Sequence, residues 1–362
     1  MRKSIAILLG IMCMVTSSVF GKEIRLKLAN YLPPTSPQSV VIDEFCKEVE
    51  KRTGGRIKID HYTGGSLLKP SAVFEGVINR VADIGYSHVY YTPGKMPVTE
   101  VAGLPLGYPS VWVSSHVLWD FYQEFRPKEF EPVRVLWMQT SSPSAVLTTK
   151  KPVQKLEDLK GLTLRAPGLA GEVVKALGAT PAPTPMPEVY DALQKGVLDG
   201  DVSNFETLRS FRLGEVVRHV TSIWQVNHPF PFYLIMNKQS YEQIPSDLRT
   251  IFDQVVGEYL EIFILRWNAN EFEGMKFAKE KGVKFYSLSP TEAQRWVEAV
   301  KPVIDVYVKR MVEKGFSEKE VRGWIEFIKK RIDYWSKKQI ELRISSPSGS
   351  DEIRPENLLI VK

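Results

Sequence analysis

The stretch GLTLRAPG, residues 161–168, places an arginine at the end of a predicted strand. Residues 162–165 alternate apolar and polar side chains, which is typical of a strand with one buried face. Pro167 and Gly168 then form a turn, and residues 171–177 have the spacing of a helix. Such a turn can aim the forked guanidinium of Arg165, with helix amides nearby, at a carboxylate. A strand-end arginine is more often part of a surface ion pair, so the rest of the chain decides between the two interpretations.

The same strand-to-helix rhythm extends in both directions from this stretch. Strands are predicted at residues 24–29, 56–60, 82–85 and 134–138. Between and after them, apolar residues recur with helical spacing. One such helix has Ser36 as its predicted N-cap and Pro37 as its first residue, and it ends near Gly54. Strands that alternate with helices predict an α/β protein with mostly parallel sheets.

Three longer features indicate how the parts are connected. Residues 145–149 and 232–236 suit strands that cross between two lobes, and residues 247–281 form an amphipathic helix long enough to brace both. Two more helices are predicted at residues 291–313, broken or kinked by Pro302, and at 318–341. Residues 343–362 mix Ser, Pro, Gly and charges, which predicts a flexible tail.

The first residues predict an export signal. Residues 1–21 have the charged, apolar and small-residue order of a cleaved signal peptide, which indicates a periplasmic location. The remaining 341 of 362 residues exceed what a single core usually holds, so two lobes are expected. Lobe 1 comprises residues 22–145 and 237–280, and lobe 2 comprises 146–236 and 281–342. Because only Cys46 remains after cleavage, an intramolecular disulfide is excluded; its neighbours predict a buried helical thiol.

Composition and motifs argue against several functional classes. Removing Arg2 and Lys3 lowers the formal charge from +6 to about +4, with both signs interspersed, which is no signature of nucleic-acid binding. The five histidines lack metal-type spacing, and no nucleophile elbow or phosphate loop is present. We therefore expect no metal, no cofactor and no catalytic residues, although an acid/base pair assembled from distant carboxylates would escape a motif search.

Several segments together resemble the substrate-binding proteins of tripartite ATP-independent periplasmic (TRAP) transporters. The similarity covers nearly the whole mature chain. It rests on residues 155–168 and on five further segments: YTGGSL (62–67), ADIG (82–85), LP (104–105), residues 178–200, and the pattern NK-x-x-Y-x-x-IP-x-x-L (237–248). The resemblance implies two lobes that close by a hinge on a ligand in the cleft, and it gives Arg165 the role of the carboxylate-binding arginine.

Two departures from the family pattern affect the expected ligand. The family often has an asparagine four residues after the aspartate of its Asp-Gly motif; here Ser203 holds that position, and Asn204, which follows, is the candidate polar contact with the ligand. A second arginine found in some sugar-acid and dicarboxylate binders is replaced by the stretch SPSAV, residues 142–146. The remaining candidates for the pocket are aromatic or amphipathic: Tyr31, His88, Tyr90, Tyr91, Phe205, Trp224 and His228. For each ring, an ordinary place in the core is an equally good interpretation.

These observations predict a periplasmic receptor that captures a small organic acid for uptake. The aromatic candidates and the single arginine favour a monocarboxylate with an apolar or aromatic body. The expected partners are this anion and the membrane subunits of a TRAP transporter, with no nucleic acid and no membrane insertion after signal removal. A ligand-binding module that a membrane sensor recognises, or a secreted enzyme on the same scaffold, remains as an alternative.

Overall fold

The computed structural model describes residues 23–358, which form eleven strands and eleven α-helices. The predicted signal peptide, residues 1–21, lies outside the described residues. The strands are β1 (Ile24–Asn30), β2 (Ile57–Tyr62), β3 (Ile84–His88), β4 (Val133–Thr140), β5 (Ala145–Thr148), β6 (Thr163–Arg165), β7 (Thr180–Ala182), β8 (Gly200–Ser203), β9 (His219–Ser222), β10 (Pro231–Asn237) and β11 (Lys284–Ser287). The α-helices are α1 (Pro37–Arg52), α2 (Val73–Ile78), α3 (Val111–Phe125), α4 (Leu169–Ala176), α5 (Met186–Gln194), α6 (Thr207–Ser210), α7 (Lys238–Glu242), α8 (Ser246–Glu280), α9 (Pro290–Glu313), α10 (Glu318–Glu341) and α11 (Pro355–Leu358).

Each of two sheets forms the centre of one lobe. The first sheet has the order β2-β1-β3-β10-β4, and the second has the order β11-β9-β5-β8-β6-β7. Strands of the same lobe that pair with each other are parallel, as in β1 with β2 and β3, and β6 with β7 and β8. Both sheets are therefore organised as the strand–helix alternation predicts.

The crossing strands β5 and β10 account for every antiparallel pair in the described sheets. β10 runs antiparallel to β3 and β4, and β5 runs antiparallel to β8 and β9. A strand that enters a sheet directly from the other lobe arrives at the edge where the parallel strands end, so it must run against them. All seven residues of β10 are buried, as expected for a strand that is covered on both faces.

Helix α8 is a third connection and spans the two lobes. Near its start, Phe252 and Tyr259 pack against Phe45 of α1, with ring centroids 6.1 and 5.6 Å apart. Near its end, Gly274 lies against the backbone of Phe205, which follows β8 in the second lobe. The predicted two-lobed α/β fold with crossing strands and a long bracing helix is confirmed.

Three local predictions about the helices can be compared with the structure. Ser36 caps α1, because its hydroxyl oxygen accepts a hydrogen bond from the backbone N–H of Ser39 at 3.2 Å. Cys46 is buried on the same helix, as predicted, and its burial raises the pKa of the thiol. Pro302 does not break α9, which continues through it from Pro290 to Glu313.

The described part of the segment predicted to be a flexible tail is packed. Ile353 is only 3% exposed, and the backbone N–H of Ser346 donates to its carbonyl oxygen at 2.9 Å. Asn268 of α8 donates to the carbonyl oxygen of Ser345, and Gly349 approaches the backbone of Pro109. The residues after α10 therefore cover one side of the molecule. The lobe boundaries drawn from the sequence stay a prediction.

None of the helices within residues 23–358 has the length and apolar character needed to cross a bilayer.

Candidate functional site

The carboxyl ends of the parallel strands in both sheets meet at one cavity between the lobes. From the first sheet, Tyr31 follows β1 and His88 ends β3; from the second, Arg165 ends β6 and Asn204 follows β8. This edge is where open α/β sheets commonly bind ligands. Sixteen of the described residues line the cavity: Tyr31, Leu32, Gln38, His88, Tyr91, Ser141, Arg165, Met186, Ser203, Asn204, Glu206, Thr207, Phe211, Phe230, Phe232 and Trp267.

Arg165 supplies the fixed positive charge of the cavity. Its side chain is 2% exposed, and its Nε donates to the carbonyl oxygen of Thr184 at 2.9 Å, which orients the guanidinium. The guanidinium carbon lies 5.5 Å from the centroid of the Phe230 ring. Among the described residues that line the cavity, no other lysine or arginine occurs. A guanidinium held in this way can bind a carboxylate with two parallel hydrogen bonds.

Asp201 is the counter-ion of Arg165. The two residues are neighbours in the register of β6 and β8, and Oδ1 of Asp201 lies 3.7 Å from Nη1 of Arg165. Oδ2 of Asp201 accepts a hydrogen bond from the hydroxyl of Ser203 at 2.5 Å. Burial raises the pKa of Asp201, and the charge of Arg165 opposes that rise. The 3.7 Å spacing exceeds a hydrogen bond, so Arg165 keeps donors for a second carboxylate.

An aromatic wall faces Arg165 from the first lobe. The ring of His88 lies 3.7 Å from that of Tyr91 and 5.1 Å from that of Phe232, measured between centroids, and Tyr31 packs edge-on against Tyr91 at 5.3 Å. Burial lowers the pKa of His88 well below its usual value, so the imidazole is neutral. Its Nδ1 accepts from the backbone N–H of Tyr90 at 3.2 Å, which puts the proton on Nε2. The Nε2–H of neutral His88 is thus a hydrogen-bond donor near the positive charge of Arg165.

The loop after β8 is anchored to α8 by Glu271. The carboxylate oxygens of Glu271 accept hydrogen bonds from the Asn204 amide at 2.8 Å and from the backbone N–H groups of Phe205 and Glu206 at 3.0 and 3.1 Å. Burial raises the pKa of Glu271 to about 8, and the nearby Glu206 carboxyl adds to the rise. Burial raises the pKa of Glu206 as well. Two carboxyl groups therefore sit together at one side of the cavity.

The lobes hold a closed arrangement around this site. The hydroxyl oxygen of Tyr91, in the first lobe, accepts a hydrogen bond from the backbone N–H of Met186, in the second, at 2.9 Å. The cavity between the lobes has a volume of about 30 Å³. A ring-sized ligand therefore requires the lobes to part or the rings to shift before it can enter, as hinge closure would allow.

The structure brings together some of the predicted site residues and separates others. Arg165, Asn204, Tyr31, His88 and Tyr91 all line the cavity. Tyr90, Phe205, Trp224 and His228 do not.

The four residues outside the cavity have other packing roles. Tyr90 fills the space under the turn at Gly168, where an added Cβ would lie 2.4 Å from its ring. Phe205 packs on Phe285 in the core of the second lobe at 5.5 Å, because the loop after β8 turns its side chain away from the cleft. Trp224 lies half-buried in a 3-10 turn, and Nδ1 of His228 donates to the carbonyl oxygen of Val226 at 3.1 Å.

Sequence reasoning missed Gln38, Glu206, Phe230, Phe232 and Trp267, which also line the cavity. The first two residues are polar positions in helical or loop segments with no motif around them. Phe230 and Phe232 belong to an apolar run that predicts only a buried strand. Trp267 is one apolar position among many on α8, and its spacing alone cannot distinguish a pocket from a core.

The described residues offer no obvious metal centre. Within residues 23–358, no three His, Cys, Asp or Glu side chains are grouped so that they could hold a metal ion. The chemistry that this arrangement can perform is binding of an anion in an aromatic surrounding.

The chain is similar to a known protein family and to several solved structures. Residues 28–310 match the family model described as bacterial extracellular solute-binding protein, family 7. A TRAP periplasmic solute-binding protein from Desulfovibrio salexigens is 34% identical, with a TM-score of 0.75; the match covers 86% of this chain and 97% of the other. That protein was solved in an open form, with the C-terminus of a symmetry mate in its ligand-binding site.

Two other similar structures contain aromatic acids. A TRAP solute-binding protein from Rhodoferax ferrireducens, with copurified benzoate, is 27% identical over 87% of this chain and 99% of its own, with a TM-score of 0.81. A marine metagenome TRAP solute-binding protein specific for aromatic acid ligands, solved with metahydroxyphenylacetate, is 25% identical over 86% of this chain and 99% of its own, with a TM-score of 0.82.

Proposed function

The chain belongs to the bacterial extracellular solute-binding proteins of family 7, and we propose that it captures a small aromatic monocarboxylate between its lobes. The ligand's carboxylate binds Arg165, and its ring packs among the aromatic side chains of the cleft. Lobe closure then buries the complex, which a TRAP membrane transporter receives.

The observation that carries this proposal is a single buried guanidinium in an aromatic cavity. Arg165 is oriented by Thr184 and lies against Phe230. These contacts hold the guanidinium in one orientation before the ligand binds, so little further ordering is needed. Aromatic side chains offer large apolar area to a ligand ring and favour edge-to-face contacts. The bound benzoate and metahydroxyphenylacetate of two similar proteins support the same ligand class.

The other charges in the cavity favour one carboxylate over two. Arg165 is the one cation among the described residues that line the cavity, and Asp201 already partly neutralises it. A second ligand carboxylate would find no second cation among the described residues that line the cavity, and burial of an unpaired charge is costly. Dicarboxylates and sugar acids that require a second basic group are therefore disfavoured.

Calorimetric titration of the purified protein tests this proposal. Benzoate and phenylacetate are compared with succinate and glucuronate, and the aromatic acids are expected to bind most tightly. Arg165→Ala is expected to weaken aromatic-acid binding by at least about 100-fold, since it removes the partner of a buried charge. Unchanged affinity in this variant would contradict the role of Arg165.

Two controls separate binding from folding. Arg165→Ala leaves Asp201 buried without its counter-ion, so the double variant Arg165→Ala/Asp201→Asn removes both charges. Arg209→Ala removes an exposed arginine of α6 and should leave affinity unchanged. A double variant that melts like the wild type but still fails to bind would assign the loss to the missing guanidinium.

The export signal and the membrane partner are part of the same proposal. We propose that residues 1–21 direct export to the periplasm, in agreement with the extracellular family. The closed form would then dock on the membrane subunits of a TRAP transporter and reopen there. Mass measurement of the protein secreted into the periplasm would locate the cleavage site.

A further inference from the structure

Two buried polar atoms of residues that line the cavity have no hydrogen-bond partner within the described part of the chain. Trp267 and Gln38 both line the cavity, and each is only 3% exposed. Among the described residues, neither the indole N–H of Trp267 nor the side-chain carbonyl oxygen of Gln38 has a partner. Buried polar groups are normally paired, and an unpaired donor and acceptor in one cavity indicate a missing group.

Contacts around Glu206 bring these two residues to the same side of the cavity. Glu271 lies one turn after Trp267 on α8 and accepts the backbone N–H of Glu206 at 3.1 Å. The Gln38 side chain lies against the carboxyl of Glu206. The nitrogen of the Gln38 amide is the atom that can donate to this carboxyl, which leaves its oxygen as the free acceptor.

A series of neighbouring aromatic rings connects Arg165 to this side. The guanidinium of Arg165 lies against Phe230, whose ring centroid is 5.9 Å from that of His88. The ring of Phe232 lies 5.1 Å from that of His88, and the ring of Trp267 lies 5.2 Å from that of Phe232. Because these contacts lead stepwise from Arg165 to Trp267, a ligand whose carboxylate binds Arg165 can direct the far side of its ring at Trp267 and Gln38.

We propose that this far side binds a hydroxyl group, so that the ligand is a hydroxylated aromatic monocarboxylate. This inference rests on the proposed function. A hydroxyl can accept from the Trp267 N–H and donate to the Gln38 carbonyl oxygen at the same time. An ammonium group has no lone pair for the indole, and a carboxylate has no proton for Gln38 and would meet Glu206. A site built to pair with a hydroxyl discriminates against analogues that lack it.

The test measures whether a ring hydroxyl adds affinity through these residues. Benzoate and phenylacetate are titrated beside their 3-hydroxy and 4-hydroxy forms. At least one hydroxylated acid is expected to bind about tenfold more tightly than its parent. Trp267→Phe, which removes the N–H, is expected to reduce this ratio to about one, whatever its effect on the affinity for the parent acid. Gln38→Met, which removes the acceptor, should have the same effect.

A matched control removes an equivalent indole elsewhere. Trp296 of α9 is also buried with an unpartnered N–H, but it does not line the cavity. Trp296→Phe should therefore preserve the preference for the hydroxylated acid.

The outcomes distinguish this inference from the function on which it rests. If no aromatic acid binds, the proposed function fails. If parent and hydroxylated acids bind equally well, the hydroxyl site is refuted and the monocarboxylate receptor stands. Tighter binding of 3-(aminomethyl)benzoate than of every hydroxylated acid would also refute the hydroxyl site, in favour of a cation beside Glu206.

Discussion

Arg165 is held in position before any ligand arrives. Its Nε bonds to Thr184, and the carboxylate of Asp201 lies 3.7 Å away, so the guanidinium does not need to be desolvated again on binding. Buried ion pairs contribute little to stability, because desolvation offsets the attraction between the charges. The pair instead prepares the site, since a side chain that is already ordered loses less entropy when it binds.

Buried histidines link the stability of the protein to pH. Burial lowers the pKa of His228 to about 4, and it also lowers the pKa of His61 to about 4. The unfolded chain then binds more protons than the folded chain between pH 6.5 and 4, so stability rises with pH in that window. For His228 the contribution is on the order of 3 kcal/mol, present above pH 6.5 and lost as the pH falls through 4.

We predict that His228→Gln flattens the pH dependence of stability on the acid side. Urea unfolding between pH 4.5 and 7 should give a slope in the free energy of unfolding that is smaller by up to about 1.4 kcal/mol per pH unit. The variant and the wild type should have similar slopes above pH 7.5, where both states are neutral at this position. Identical slopes below pH 6.5 would show that His228 can take up its proton within the fold.

The loop after β8 and helix α8 form one structural unit. Glu271 accepts three N–H groups from residues 204–206, and Gly274 lies so close to Phe205 that an added Cβ would be 2.0 Å from its carbonyl oxygen. Because Asn204 and Glu206 line the cavity, the helix sets the position of the loop that faces the ligand.

We predict that Gly274→Ala disturbs this unit, whereas Gly257→Ala on the same helix does not. The first change forces the loop away from α8, which should lower the melting temperature by several degrees and weaken aromatic-acid binding. The second adds a methyl group where no atom lies within 4 Å, and it should stabilise the helix by about 0.5–1 kcal/mol. Thermal melts and calorimetric titration of both variants provide the measurement. Equal behaviour of the two variants would show that the loop adjusts freely.

In the whole molecule, charged side chains also connect the lobes away from the cavity. Arg310 of α9 donates to Glu100, between β3 and α3, at 2.8 Å, and it bonds to Glu172 of α4 in the second lobe. Burial raises the pKa of Glu100 to about 7, and the charge of Arg310 limits that rise. Removing the guanidinium would leave two partly buried carboxyl groups close together, which favours separation of the lobes.

We predict that Arg310→Met weakens ligand binding although Arg310 does not line the cavity. If the closed form becomes about tenfold less populated, the apparent affinity should fall about tenfold. Small-angle scattering should show a larger radius of gyration without ligand and a value near the wild type with saturating ligand. Arg322→Met, which removes an exposed arginine paired with Asp305 and Glu318, is the control and should match the wild type. Unchanged affinity and scattering in Arg310→Met would show that closure does not depend on this contact.

The sequence by itself determined the fold and the family. Alternating and helical spacings depend on neighbours a few residues apart, so the five strands of the first sheet, β5 and β6 of the second sheet and the long helix could be predicted from them. The short strands β7, β8, β9 and β11, of three or four residues each, were not predicted. The position of Arg165 at the end of β6 followed for the same reason, since parallel strands direct their carboxyl ends to one edge.

The tertiary structure alone decided which side chains share the cavity. Trp267 and Gln38 lie far apart in the chain and both line the cavity, a proximity that no local pattern encodes. The same holds for Tyr90, Phe205, Trp224 and His228, whose positions beside predicted strands suggested the cavity but whose side chains pack elsewhere. A strand or turn fixes where a backbone lies, whereas the direction of a side chain is set by packing between distant segments.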